Sequence, residues 1–346
     1  MILNTCIQGD CRDAIRSLID DGVKVQCIVT SPPYWGLRDY GMPDQIGQEK
    51  TFSEYLENLK EVFGLCKDLL SDYGTLWLNM GDSYAVSRKG RNADGLSHHA
   101  GQKTDHEQGA CTGIITGLVD FLDGKNLIGQ PWRLAFALQE QGWYLRQDII
   151  WHKPNPMPES VKDRCTKAHE YLFLLTKSPR YYFDQDAIRE RLKDQSVARL
   201  IQDIEKQKGS NRIPGKKNGN MKAVCKQFDK SMAAGGSRIA SSKHSGYFDK
   251  DGMPLCGTTA NKKSVWTIPT QGFSGAHFAV MPEALVEPCV LAGSRAGDTV
   301  FDPFLGSGTV AQVAQRLGRN WLGVELNPDY IELQNKRTCQ MGMRLV

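Results

Sequence analysis

Two short stretches near opposite ends of the chain carry groups that can do chemistry. Thr30-Ser31-Pro32-Pro33-Tyr34 ends an apolar, strand-like run over residues 25–30. It therefore sits at a strand's carboxyl end, the edge where α/β sheets bind ligands. Consecutive prolines stiffen the backbone there. Such a turn offers the Ser31 hydroxyl and the Pro32 carbonyl as two acceptors for one planar NH2 group, with the Tyr34 ring beside them for stacking. On these residues alone, an ordinary Pro-Pro turn is an equal reading.

The second stretch is Asp302-Pro303-Phe304-Leu305-Gly306-Ser307-Gly308-Thr309. A strand ends in an acid, two glycines let a ligand approach the backbone, and a helix follows, presenting N–H groups and the positive end of its dipole. Glu325 lies at the end of the next strand, 17 positions after Gly308, placed to accept both hydroxyls of a ribose. The spacing is neither GxxxxGK[ST], since no lysine follows Gly308, nor GxGxxG. It favours a nucleotide-type ligand over a purely structural glycine turn.

Strands over residues 2–8, 25–29 and 75–79, with a helix over 52–70, predict a parallel α/β sheet. It continues through a helix over 131–141, opened by Pro131, and strands over 143–151 and 171–175. Residues 276–291 read as a helix with its approach. A strand over 299–301, a helix over 310–317 and a strand over 321–324 close the chain with a βαβ unit. Residues 85–124 read as a mobile excursion near the site. No internal repeat is present.

From 185 to 263 the composition shifts to Lys, Gly, Ser and Asn, opening with a helix over 186–208. This segment holds 17 Lys and Arg against 8 Asp and Glu, so the rest of the chain is net −5 although the whole is +4. A basic insert on an acidic body suits a polyanion, because each neutralised phosphate releases counterions. The plainer alternative is a solvated loop region. The ten cysteines include no CxxC pair, and neither a leader-like start nor a spanning apolar run is present. A reducing cytoplasm and no membrane residence fit best. His98, His99, His106 and Cys111 match no standard zinc spacing, so no metal is expected.

With both motifs in this order, the chain resembles the β-class DNA methyltransferases of bacteria and phages, which modify exocyclic amino groups. The resemblance covers nearly all of it outside the insert and the 85–124 loop. It implies a circularly permuted Rossmann-like methyltransferase sheet with helices on both faces, S-adenosylmethionine as cofactor and double-stranded DNA as substrate. Residues 1–184 and 264–346 would be two halves of one catalytic domain, and 185–263 a target-recognition insert. Ser31, Pro32, Pro33 and Tyr34 are then catalytic. Asp302, Pro303, Phe304, Gly306, Ser307, Gly308, Thr309, Glu325 and Asn327 look like cofactor ligands, joined by Thr30, Asp10, Cys11 and the segment His277-Phe278-Ala279. Trp151-His152-Lys153-Pro154-Asn155-Pro156-Met157-Pro158, Arg164 and His169-Glu170 resemble a block lining the target pocket, with a structural role open for the last two. Trp35, Lys153, Arg164, Lys216 and Lys217 are the DNA-binding candidates, Trp35 with core packing as its alternative. Ser31 is typical of cytosine-N4 enzymes, which favours that base, with adenine N6 open. Pro288-Cys289 resembles the nucleophile of cytosine-C5 enzymes but lies away from any strand end, so Cys289 is expected buried in a helix. RNA or protein methylation and a silent cofactor-sensing protein are the rival readings, and a cognate restriction endonuclease is a possible partner.

Overall fold

The structure is a computed structural model that describes residues 3–37, 39–85, 122–192, 259–270 and 281–339. Its elements run β1 (Thr5–Gln8), α1 (Cys11–Asp20), β2 (Val25–Thr30), α2 (Phe52–Leu69), β3 (Leu70–Met80), α3 (Gln130–Glu140), β4 (Tyr144–His152) and β5 (His169–Thr176). After two short strands, β6 (Glu190–Arg191) and β7 (Thr259–Ala260), come β8 (Val265–Thr267), α4 (Glu283–Gly293), β9 (Thr299–Asp302), α5 (Thr309–Arg316), β10 (Asn320–Glu325) and α6 (Pro328–Cys339). Among the described residues, no helix is long and apolar enough to cross a membrane.

The chain divides into two compact units: residues 1–187 with 263–346, and residues 188–262. The larger holds an eight-stranded sheet in the order β1-β10-β9-β2-β3-β5-β4-β8. The parallel sheet expected from alternating strands and helices is corrected at one strand. β5 runs antiparallel to both β3 and β4, because it returns from β4 without a crossover helix, whereas β1, β10, β9, β2 and β3 are parallel.

The middle of the sheet is buried on both faces, and the side chains of β2 and β3 alternate between them. Ile28, Leu76 and Leu78 enter the core shared with α1, α2 and α3. Cys27, Thr75 and Trp77 meet α4, so closely that a Cβ on Gly293 would lie 2.5 Å from the Thr75 hydroxyl. Strands buried on two faces read as continuous apolar runs, which is why β2 was legible as Val-Gln-Cys-Ile-Val-Thr. Thr51 and Glu54 cap α2 reciprocally, fixing where the chain re-enters the core after the Ser31–Tyr34 turn.

In the smaller unit, the described residues pair β6 with β7, and Arg189 donates to the Thr259 hydroxyl at 2.9 Å. The helix expected to open at Asp186 is not formed over its described part. One 3-10 turn (Asp186–Ile188), tied by Ala187 N–H to Asp184 Oδ1 at 3.0 Å, gives way to β6. The remainder of 186–208 lies outside the described residues, as do 86–121.

Candidate active site

The sheet's register brings the candidate residues to one edge. The carboxyl ends of β1, β2, β3, β4, β9 and β10 point the same way, and the start of β5 joins them. Gln8 lies beside Glu325, Asp302 beside Gly323, Met80 beside Tyr171 and Trp151 beside Glu170. From β9 the chain crosses to β10, whereas from β2 it crosses to β3 on the other side. The β2–β9 junction is therefore the topological switch point where such sheets open a crevice. A cavity of about 770 Å³ lies there, lined on one flank by Asp302, Gly306 and Glu325 and on the other by Ser31, Tyr34 and Lys153. This is ample for a nucleoside-sized ligand.

On the first flank, the loop 303–308 is folded by its own acids. Asp302 Oδ1 accepts from Phe304 N–H at 3.0 Å and from the Thr30 hydroxyl at 2.7 Å. Glu325 accepts from Gly306 N–H and Asn327 N–H, both at 2.8 Å. Burial pushes the Asp302 carboxyl up to about 7, and it raises Glu325 as well. Gly308, at φ 81°, caps α5 without a side chain, leaving the helix's first amides uncovered by any cap. A carboxylate suits those amides, a cation suits Asp302, and a diol suits the outer lone pairs of Glu325. An amino-acid–nucleoside ligand thus fits the donor set.

Behind the loop stand two α6 residues that the sequence pattern did not reveal. Gln334 donates to the Gly306 carbonyl at 2.6 Å, and Arg337 bonds Ser307 O, Ser307 Oγ and Thr309 Oγ1 at 3.0, 2.9 and 3.1 Å. Asp10 and Cys11 line the cavity. The Asp10 carboxylate caps α1 and is gripped by Arg12, which holds it below the usual carboxylate range, while burial pushes the Cys11 thiol up to about 12. Thr30 is corrected: it is fully buried behind Asp302 and off the cavity wall.

On the second flank, Ser31, Pro32, Pro33 and Tyr34 all line the cavity. The Pro33 carbonyl is taken by the Tyr55 phenol at 2.8 Å. The Tyr34 hydroxyl donates to Glu170 at 2.8 Å and receives the Ser31 hydroxyl at 3.5 Å. Lys153 ion-pairs with the other Glu170 oxygen and sits 4.3 Å over the Trp151 ring. Burial and the Glu170 charge both push the Tyr34 phenol above its ordinary range, so it stays protonated as a donor. A Cβ on Gly81 would lie 2.9 Å from Tyr34 Cε2, so glycine is what lets this ring sit against the end of β3.

Trp35 is corrected from DNA-binding candidate to core residue: it is 5% exposed, edge-on to Phe52, with its indole N–H given to the Glu49 carbonyl at 3.0 Å. Arg164 is off the cavity wall, ion-paired with Glu159 and 4.1 Å over the Tyr84 ring. Cys289 is buried in α4. His277, Phe278, Ala279, Lys216 and Lys217 lie outside the described residues, and so do His98, His99, His106 and Cys111. Among the described residues no group of three or more side chains has a metal-binding arrangement. Asp82 and Lys167 line the cavity unannounced by the motifs; Lys167 donates to the Asp82 carbonyl at 2.6 Å, and burial lowers its ammonium.

The model of the N6/N4 methyltransferase family, described as DNA methylase, matches residues 25–336. The chain belongs to this family. Among its relatives, the Type II methyltransferase M.Cfr9I of Citrobacter freundii is 40% identical over 333 residues, covering 96% of this chain and 87% of that protein. Type II methyltransferase M.SmaI of Serratia marcescens is 40% identical over 338 residues, covering 97% and 91%. Solved DNA methylases share the fold of this family member at low identity. A DNA modification methylase of Thermus thermophilus, complexed with S-adenosyl-L-methionine, superposes with a TM-score of 0.53 at 20% identity, covering 98% of this chain and 94% of that one. The cytosine-N4-specific PvuII DNA methyltransferase gives 0.53 at 15%, covering 97% and 86%.

Proposed function

We propose that this DNA methylase transfers a methyl group from S-adenosylmethionine to the exocyclic N4 of cytosine in duplex DNA. The observation that carries the reading is one cavity with the Ser31–Tyr34 turn on one flank and the Asp302–Glu325 loop on the other. When bound, the cofactor supplies an electrophilic sulfonium methyl, so that N–CH3 forms as S–CH3 breaks, and S-adenosylhomocysteine and one proton leave. Asp302, Gly306 and Thr309 would hold its methionine part and Glu325 its ribose. A relative complexed with S-adenosylmethionine and the family's DNA methylase character both support this choice.

The chain's work is to hold and shape the amine. Ser31 Oγ and the Pro32 carbonyl accept its two N–H groups, drawing the nitrogen from planar toward tetrahedral as charge develops, which stabilises the transition state selectively. The Tyr34 ring stacks on the extruded base, and flipping the base out costs a few kcal/mol. Ser31 is too weakly basic to remove the proton beforehand, so the amine reacts neutral and loses its proton afterwards. Glu170 positions this machinery by tethering the Tyr34 hydroxyl and Lys153 at once. Residues 185–263 act as the target-recognition insert, with the catalytic domain formed by 1–184 and 264–346. Relatives named Type II methyltransferases support a restriction–modification role, in which a cognate endonuclease would be the partner, and a DNA substrate suits a reaction in the cytoplasm.

Ser31 is what favours cytosine. The test is methylation of unmodified DNA by the purified protein, digestion to nucleosides and mass spectrometry, with long-read sequencing for the target motif. N4-methylcytosine is expected. N6-methyladenine would overturn the base assignment alone, and no methylated nucleoside would overturn the reaction.

A further inference from the structure

The connection from β4 to β5 runs past the cavity and reads Lys153-Pro154-Asn155-Pro156-Met157-Pro158-Glu159. Three prolines on alternate positions fix φ at each and leave little backbone entropy to lose. The segment is also pinned at its base: Asn155 Nδ2 donates to the Thr270 carbonyl at 3.2 Å, and Thr270 N–H donates to Asn155 Oδ1 at 3.0 Å. Farther along, Glu159 is ion-paired to Arg164, which lies over Tyr84. Between these anchors stands Met157, 81% exposed, the highest value among the exposed large hydrophobic residues described, yet lining the same cavity as Ser31 and Tyr34.

A rigid arm that spends its order on holding one thioether in water needs a partner for it. Flanking charge points to the partner's chemistry: residues 153–167 carry four basic and two acidic side chains, which suits a polyanion. We propose that Met157 is a wedge that enters the base stack of duplex DNA and fills the gap left by the extruded nucleotide. This rests on the base-flipping reading above. An unbranched, polarizable side chain slips between flat rings, and apolar wedges of this kind offset the cost of unstacking. Pre-stiffening by Pro156 and Pro158 means that the arm meets the stack already shaped.

The experiment uses the full chain and two duplexes carrying its recognition sequence. One is fully paired, and the other has an abasic site opposite the nucleotide found to be methylated, so that extrusion costs less. Single-turnover methyl transfer is measured for the wild type, Met157→Gly and Met157→Leu, with S-adenosylmethionine affinity as the control for folding. Met157→Gly is expected to be slowed about tenfold on paired DNA and to come within about twofold of the wild type on the abasic duplex. Met157→Leu, which keeps the apolar bulk, should stay near the wild type on both. Equal slowing of Met157→Gly on the two duplexes, or no slowing on paired DNA, would overturn the wedge. Failure of the wild type on both duplexes would instead overturn the methyl-transfer reading itself.

Discussion

The two flanks of the cavity are built differently. The cofactor flank is written mainly between Asp302 and Asn327, backed by Thr30, Gln334 and Arg337, and its geometry is mostly backbone: two acids accept main-chain N–H groups, and a glycine caps the helix. The amine flank is assembled from four separated segments, the ends of β2, β3 and β4 and the start of β5, and side chains join them: Tyr34 and Lys153 meet on Glu170. A site made of backbone tolerates changes in side chains that do not support its turns. A site made of convergent side chains loses its geometry when one of them is cut back.

The largest expected effect lies on the amine flank. Ser31→Ala and Tyr34→Ala should each slow methyl transfer by about a hundredfold or more, with S-adenosylmethionine affinity nearly unchanged in calorimetry. Full activity in both would end the comparison, because the turn would then be structural. On the other flank, Glu325→Ala should weaken cofactor binding by about tenfold or more by removing the proposed ribose acceptor and the Gly306 tether together, while DNA binding in a mobility-shift assay is preserved. Glu170→Gln keeps the shape but drops the charge. It should lower kcat by roughly tenfold with little change in cofactor affinity, and Tyr34→Phe combined with it should add less than the two separate losses.

A smaller effect separates the flanks by pH. Asp302 has its carboxyl raised to about 7 by burial, so in the unliganded protein it is largely neutral below that pH and charged above it. A raised folded pKa gives stability that is full at low pH and lost as pH rises through about 7. Affinity for the cationic cofactor should move the opposite way, rising by several-fold between about pH 6 and about pH 8 as the carboxylate forms. Isothermal titration in buffers of different ionisation enthalpy would detect the linked proton, and Asp302→Asn should flatten the profile.

The same contrast explains what the sequence disclosed. The glycine loop and Glu325 were legible because adjacent residues fold that flank and each has a fixed place after its strand. Ser31–Tyr34 was legible as a turn, but its partners were not. Nothing in the spacing of Gly81, Lys153 and Glu170 says that β5 turns back antiparallel between β3 and β4, which is what sets Trp151 beside Glu170. Trp35 carries two readings in the sequence, DNA contact and core packing, and the second holds because its burial depends on Phe52, from α2. α1 went unread although Cys11, Ala14, Ile15 and Leu18 form an apolar stripe, because it is short and lies between two strands. Gln334 and Arg337 gave no signal either, since their partners are carbonyls and hydroxyls of a loop about thirty positions earlier.

The hydrogen bond from Thr30 to Asp302 joins the last residues of β2 and β9, two strands that are neighbours in the sheet. Neighbouring strands stand about 4.8 Å apart whatever their sequence. On the roles proposed for the two flanks, the span between the place that offers a methyl group and the place that receives it is ruled off by the pitch of the sheet itself.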